Sequence, residues 1–330
     1  MDRSVALPLL LAPVIGALLL GPAPNRCAAS CGCDRQGDRI LLISTRPVGC
    51  STDAATLANG VLACEKLSGK WSESTAESLL GSLDPTLPTI FYVHGNQISA
   101  CDARKRGLDV YRRLVCCACD DRSIQFVIFS WCSDKIRGPL HDFRVKAART
   151  RLIAGQLAWA VNQTPADAQV GLLGYSYGAR VITGATHLLG GGSLGCLAVE
   201  DNSPERIIRT AMLAPALDAC WLRDAGCHGQ ALDRTESTLM TCNPKDPAMK
   251  YFRFSAKCYN PTALGYCGPK GLDADDRARV RVCGVTGSVG KSHDLYRYLR
   301  AGGFMRATWR SLAFADQTAT SASPTVAEAG

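Results

Sequence analysis

The chain has 330 residues, a net charge of +8, 47% apolar residues and 17 cysteines. A chain of this length and apolar content can bury a sizeable core. Three partner classes find no support: Cys31-x-Cys33 and Cys116-Cys117-x-Cys119 lack the paired C-x₂-C spacing of a metal site, no P-loop or dinucleotide fingerprint is present, and the basic stretch 135–151 has none of the aromatic interleaving of a nucleic-acid surface.

The N-terminus reads Met1-Asp2-Arg3, then an apolar stretch from Val5 to Leu20, Gly21-Pro22-Ala23-Pro24, and small residues at Cys27-Ala28-Ala29. This order predicts a secretory signal peptide over residues 1–29, with an uncleaved anchor helix as the alternative. Pro24-Asn25-Arg26 before Cys27 argues against a lipoprotein. Cleavage after Ala29 removes Asp2, Arg3, Arg26 and Cys27, lowering the charge by one and leaving an even number of cysteines. Export and abundant cysteine both predict disulfides and no stable transmembrane anchor after cleavage.

Apolar runs of strand length follow: Arg39 to Ser44, Thr89 to Val93, Gln125 to Trp131, Gln169 to Leu173, Ile207 to Leu213, Ser237 to Cys242 and Val280 to Val285. Helix-like segments separate them, the longest from Phe143 to Asn162, so the expectation is an α/β fold with a mostly parallel central sheet flanked by helices. Within 135–151, Arg144, Lys146, Arg149 and Arg151 alternate with Val145, Ala147 and Ala148 and read as a solvated basic helix face. The strand-poor intervals 220–236 and 248–277 read as cap loops, each with two cysteines (Cys220 and Cys227; Cys258 and Cys267) that could staple it. One domain spans 34–315, and the Ser/Thr/Ala-rich tail 316–330 is expected to be disordered.

Gly174-Tyr175-Ser176-Tyr177-Gly178 follows the strand Val170-Gly171-Leu172-Leu173 and precedes helix-like Ala179 to Ile182. Strand, G-x-S-x-G turn and helix in this order form a nucleophile elbow of the α/β-hydrolase fold, with Ser176 as nucleophile. A serine needs a base and an acid to orient it. The base follows serine and acid in this chain order, which removes His94 and His141; His187 lies three turns along the helix, His228 precedes the last two strands, and His293 is left. Asp246, just past the next-to-last strand, is the acid favoured by chain position, with Asp218 as the alternative; the other is then a turn or capping aspartate. The backbone N–H groups of Asn96, after the Val93-His94-Gly95 strand end, and of Tyr177 are the expected oxyanion hole; because these donors are main-chain, side-chain substitution at Asn96 is expected to cost much less than loss of such a donor.

The chain resembles bacterial alpha/beta hydrolases of unknown function, on Phe91-Tyr92-Val93-His94-Gly95-Asn96, Phe129-Ser130-Trp131-Cys132-Ser133, the elbow, Ala214-Pro215-x-x-Asp218 and Asn243-x-x-Asp246-Pro247-Ala248-Met249. The likeness spans about Ile40 to Leu299. Cys132 stands where the family often has proline, and Ala216-Leu217-Asp218 where it often has Asp-hydrophobic-Asp, which weakens Asp218 as the acid. The resemblance implies the fold and a triad, and no particular substrate.

These readings converge on an exported serine hydrolase, periplasmic, cell-surface or extracellular, that needs no cofactor and acts on a small-molecule or lipid acyl substrate. Acyl transfer to an acceptor other than water would use the same residues. An inactive, disulfide-stapled interaction protein on the same scaffold is the alternative from another class.

Overall fold

In chain order the strands are β1 (Arg39–Ser44), β2 (Leu62–Leu67), β3 (Lys70–Thr75), β4 (Thr89–Val93), β5 (Gln125–Ser130), β6 (Val170–Tyr175), β7 (Ile208–Leu213), β8 (Ser237–Cys242) and β9 (Val280–Gly284). The helices are α1 (Ala54–Gly60), α2 (Ala76–Gly81), α3 (Ala100–Cys116), α4 (Pro139–Asn162), α5 (Tyr177–Leu189), α6 (Pro247–Lys250), α7 (Leu264–Cys267), α8 (Ala274–Arg279), α9 (Thr286–Val289), α10 (Leu295–Leu299) and α11 (Gly302–Leu312). They come from a computed structural model that describes residues 34–255 and 260–316. The expected signal segment, Cys258 and all of the expected tail except Asp316 lie outside the described residues.

The strands form one sheet in the order β3-β2-β1-β5-β4-β6-β7-β8-β9. Every neighbouring pair from β1 to β9 is parallel, while β2 pairs antiparallel with both β1 and β3. This is the mostly parallel, helix-flanked sheet of the α/β-hydrolase fold. The β2–β3 hairpin was not among the expected strands. Its residues, LACEKL and KWSEST, are mostly exposed at the sheet edge, so they lack the apolar run that marks a strand buried on both faces.

Alternation along the strands feeds two cores. Phe91, Val93, Val127 and Phe129 point to the layer formed by α4 and α5, where they meet Ile153, Leu157, Val181 and Ile182. Ile90, Tyr92, Phe126 and Ile128 point the other way, toward Val110 and Leu114 of α3 and Phe304, Met305 and Trp309 of α11. Helix α3 begins at Ser99, whose hydroxyl accepts from Asp102 N at 3.1 Å and donates to the Asp102 carboxylate at 2.8 Å. The long helix α4 starts four residues before the expected Phe143, at Pro139, a residue preset for the first helical position.

The expected solvated face of α4 needs correction at Lys146. This residue is completely buried, donating to Asp142 Oδ1 at 2.9 Å and to the Asp134 carbonyl at 2.5 Å. Its charge is neutralised inside the protein, because Asp142 one turn earlier is equally buried.

Extensive disulfide pairing is likewise corrected. Cys116 is disulfide-bonded, but Cys50, Cys64, Cys101, Cys119, Cys132, Cys196, Cys220, Cys227, Cys242, Cys267 and Cys283 are free thiols. Several sit on separate elements, Cys64 on β2, Cys101 on α3, Cys242 on β8 and Cys283 on β9, and a bridge forms only where two Cα atoms come within roughly 7 Å. The expected Cys220–Cys227 staple is absent among the described residues, since the Cys220 thiol turns to Asp218 Oδ1 at 3.3 Å. Two pairs nevertheless come near. Cys132 Sγ lies 3.3 Å from the Arg46 carbonyl and 3.9 Å from that of Gly49, next to Cys50, and burial, reinforced by Cys50, pushes its pKa up. Cys242 Sγ donates to the carbonyl of Tyr266 at 3.2 Å, next to Cys267. With oxidised glutathione as disulfide donor, Cys50–Cys132 and Cys242–Cys267 should close before any other pair of these thiols. Non-reducing peptide mapping checks this, and cross-linking of Cys101 or Cys196 ahead of them would contradict it.

Candidate active site

Strand β6 ends at Tyr175 and α5 begins at Tyr177, leaving a single residue, Ser176, for the turn. Its φ of 54° and ψ of −118° are far from the preferred backbone of an L-residue. The flanking glycines make this bend feasible. A Cβ on Gly178 would lie 2.0 Å from the Val93 carbonyl oxygen, and one on Gly174 would lie 2.6 Å from the backbone of Ala179. Only a hydrogen at each position lets β4, β6 and α5 approach so closely.

Ser176 Oγ is 3.0 Å from His293 Nε2, and His293 Nδ1 is 2.8 Å from Asp246 Oδ2. The three side chains thus form one hydrogen-bonded chain although the histidine is 117 residues from the serine. The serine is 8% exposed and Asp246 is fully buried. Asp246 also caps α6, accepting from the backbone N–H of Ala248 at 2.9 Å and of Met249 at 3.2 Å through Oδ1. One aspartate therefore both caps a helix and meets the histidine. Asp218 lies elsewhere in the hydrogen-bond pattern: its carboxylate accepts from the backbone N–H and thiol of Cys220 in a local turn.

Two tyrosines that sequence reasoning missed hold this chain. Tyr298 donates to Asp246 Oδ2 at 2.7 Å, and burial, then the adjacent carboxylate, raises its pKa far above the usual range, so it stays a donor. Tyr175 donates to the His293 carbonyl and stacks on its imidazole at 5.5 Å. The only sequence signal for either was proximity, since Tyr298 follows the histidine by five residues and Tyr175 precedes the serine by one.

The loop after β4 is fixed by a neutral histidine. The ring of His94 is fully buried; Nδ1 donates to the Gly95 carbonyl at 2.9 Å, while Nε2 accepts from Trp131 N–H at 3.2 Å. Trp131 returns a bond from its indole N–H to the His94 carbonyl at 2.8 Å and stacks on the ring at 5.6 Å. Ser133 bonds the backbone of Ile98 in both directions, at 3.2 Å each. The Ser-Trp-x-Ser segment thus clamps the His-Gly-Asn loop. Because the Gly95 carbonyl is turned toward the His94 ring, the N–H of the same trans peptide, that of Asn96, faces the opposite way. Among the described residues neither the Asn96 nor the Tyr177 backbone N–H has a protein acceptor. The Asn96 side chain has its own task, donating to Asp142 Oδ2 at 2.8 Å beside Gln97 at 2.9 Å. Burial opposes ionisation of Asp142, but the bonds from Gln97, Lys146, Ile136 and Asn96 outweigh it and hold its pKa below the usual range. The sequence reading of Asn96 considered its backbone N–H alone and did not anticipate this side-chain anchor.

His187 of α5 and His228 of the 220–236 segment stack on each other at 6.0 Å. His228 is bonded to Thr183 Oγ1 at 2.8 Å, and His187 Nδ1 accepts from Gln230 N–H at 3.1 Å. Neither bonds Ser176.

No protein-family model matches the chain, and no curated protein matches it in sequence. Among solved structures it is similar to an inhibited esterase B from Lactobacillus rhamnosis, at 14% identity and a TM-score of 0.39 over 89% of this chain and 94% of that one. It is also similar to the catalytic core domain of acetyl xylan esterase from Trichoderma reesei, at 13% identity and a TM-score of 0.34 over 70% of this chain and 98% of that one. The strand order and the elbow define the fold independently of these distant likenesses.

Burial lowers the pKa of His94 to about 3 and that of His228 well below its ordinary value. Both are neutral when folded but titrate near 6.5 when unfolded, so the unfolded chain binds more protons below that pH. Stability should be pH-independent on their account above 6.5 and fall by up to about 1.4 kcal/mol per pH unit for each histidine as the pH drops below it. Denaturation midpoints between pH 7 and 4.5, above the main carboxylate range, test this; a flat profile would contradict it. At the other end of the site, Tyr298→Phe removes one donor from the buried Asp246 carboxylate and should cost about 1–3 kcal/mol in urea denaturation.

Proposed function

We propose that the chain is an exported serine hydrolase that cleaves an ester or related acyl compound through an acyl-enzyme intermediate. The observation that carries this reading is the unbroken hydrogen-bonded chain from Ser176 Oγ through His293 to Asp246 on a strained strand-to-helix turn. With Nδ1–H donated to Asp246, the Nε2 lone pair of His293 faces the serine hydroxyl. Ser176 Oγ attacks the acyl carbon as its proton passes to Nε2, and the carbonyl oxygen becomes an oxyanion. The N–H groups of Asn96 and Tyr177 are the proposed donors to that oxyanion, a kind of contact worth about 3–4 kcal/mol each in the transition state. The imidazolium, stabilised by the Asp246 carboxylate, then protonates the departing alcohol. Water attacks the acyl-serine by the same route in reverse, returning the acid and the free enzyme.

A donor at Asn96 is supported by the loop after β4 being held already by Trp131, Ser133 and Asp142, which leaves little further ordering cost. Export rests on the apolar Val5 to Leu20 stretch and the small residues before Ser30. Among the described residues no helix is long and apolar enough to cross a membrane.

A fluorophosphonate probe should label the purified protein, and Ser176→Ala should abolish the label. Asp246→Asn should lower kcat on an activated ester by about 10⁴, since an amide can neither stabilise the imidazolium nor enforce the tautomer. Asp218→Asn should act on stability and leave kcat within a few-fold. Labelling that persists in Ser176→Ala, or a folded protein that never labels, would overturn the reading.

A further inference from the structure

A cavity of about 520 Å³ lies between α11 and the edge strand β9, with Ser237 at the start of β8 in its wall. Helix α11 packs over β6, β7 and β8 and leaves the flank of β9 uncovered, which opens this space. Strand β8 runs from Ser237 to Cys242, about 17 Å at 3.4 Å per residue, and Asp246 lies beyond its far end. The cavity is therefore separate from the serine site.

Four arginines line it: Arg279 and Arg281 from the β9 side, Arg306 and Arg310 one turn apart on α11. Arg279 is paired with Asp233 at 3.1 Å, whereas Arg281, Arg306 and Arg310 have no carboxylate partner among the described residues. The one acid in the wall, Asp316, is already engaged by Arg209 at 2.6 Å. The positive end of α11 opens on the same space at Gly303. No acid stands in its first turn, its N-cap residue Ala301 offers no side-chain bond, and a Cβ at Gly303 would meet nothing within 4 Å. A solvated basic face disperses its charge over a convex surface. Here three unpaired guanidinium groups and a bare helix N-terminus converge on one hollow, an arrangement of like charge that an anion would relieve.

We infer that this cavity binds a compact phosphoryl-bearing anion, independently of the reaction at Ser176. Guanidinium forks match phosphate oxygens bidentately, and the backbone N–H groups at the start of α11 supply further donors. The wall contains no aromatic side chain, so it offers no platform for stacking nucleic-acid bases. A phosphoryl group could be carried by a soluble compound or by a lipid headgroup.

Inorganic phosphate titrated into the full-length protein and followed calorimetrically should bind, and more weakly as salt rises. The double variant Arg306→Gln/Arg310→Gln, made on exposed helical positions, should weaken it at least about ten-fold, and Arg281→Gln alone should act in the same direction from the strand side. Arg137→Gln, which removes one exposed charge elsewhere, should change nothing. Co-sedimentation with phosphatidylcholine vesicles, with and without phosphatidic acid, separates the sources. Vesicle binding that requires phosphatidic acid and is lost in the double variant identifies a headgroup, and phosphate binding without vesicle association identifies a soluble ligand. Fluorophosphonate labelling should be the same in all variants, so a failure here is distinct from a failure at Ser176. Phosphate held no better than chloride, or equally well by the double variant, would overturn the inference.

Discussion

The closest approach in the site is that of α5 to the end of β4, where the space beside Gly178 is so short that a methyl group would overlap the Val93 carbonyl. Much follows from that contact. It goes with a positive-φ backbone at Ser176 that residues other than glycine rarely adopt, and it brings the first N–H groups of α5 beside the loop that leaves β4. The strain at the serine is tolerated because the surrounding sheet is buried on both faces and cannot relax without opening two cores.

Around that contact the polar groups are matched in a way that depends on protonation. His94 can serve both the Gly95 carbonyl and the Trp131 N–H only as the neutral ring, one nitrogen donating and the other accepting. Burial supplies this state by disfavouring the imidazolium. Asp142 is the opposite case, a buried carboxylate kept ionised by four donors, Lys146 among them. The first residues after β4 are thus held from one side by a neutral histidine and from the other by an anion, so the loop is fixed by the protein's own contacts.

The acid side of the site follows the same economy of residues. Asp246 gives one oxygen to the N-terminus of α6 and the other to His293 and Tyr298. Its position is therefore set by a helix that begins at Pro247 and by a tyrosine 52 residues further on. A capping aspartate and one that orients an imidazole are usually separate readings of a sequence; here the two oxygens allow both at once.

The sequence alone carried the parallel strands, because strands buried on both faces read as continuous apolar runs, and it carried the elbow, because glycines on either side of a serine between strand and helix have few other uses. It also ordered Ser176, Asp246 and His293 along the chain. It could not show the β2–β3 hairpin, whose edge position leaves a mixed polar pattern, nor that Lys146 is buried, since a lysine on a basic helix face looks solvated until its aspartate is seen to be inside as well. Cysteine count said nothing reliable about pairing, which depends on distance between sulfurs. Tyr298, Trp131 and Asp142 acquired their roles only on folding: each meets its partner across 37 or more residues, and such contacts leave no local spacing to read. Tertiary packing decided them because hydrogen-bond geometry is a property of positions in space, whereas sequence period reports only which face of an element is buried.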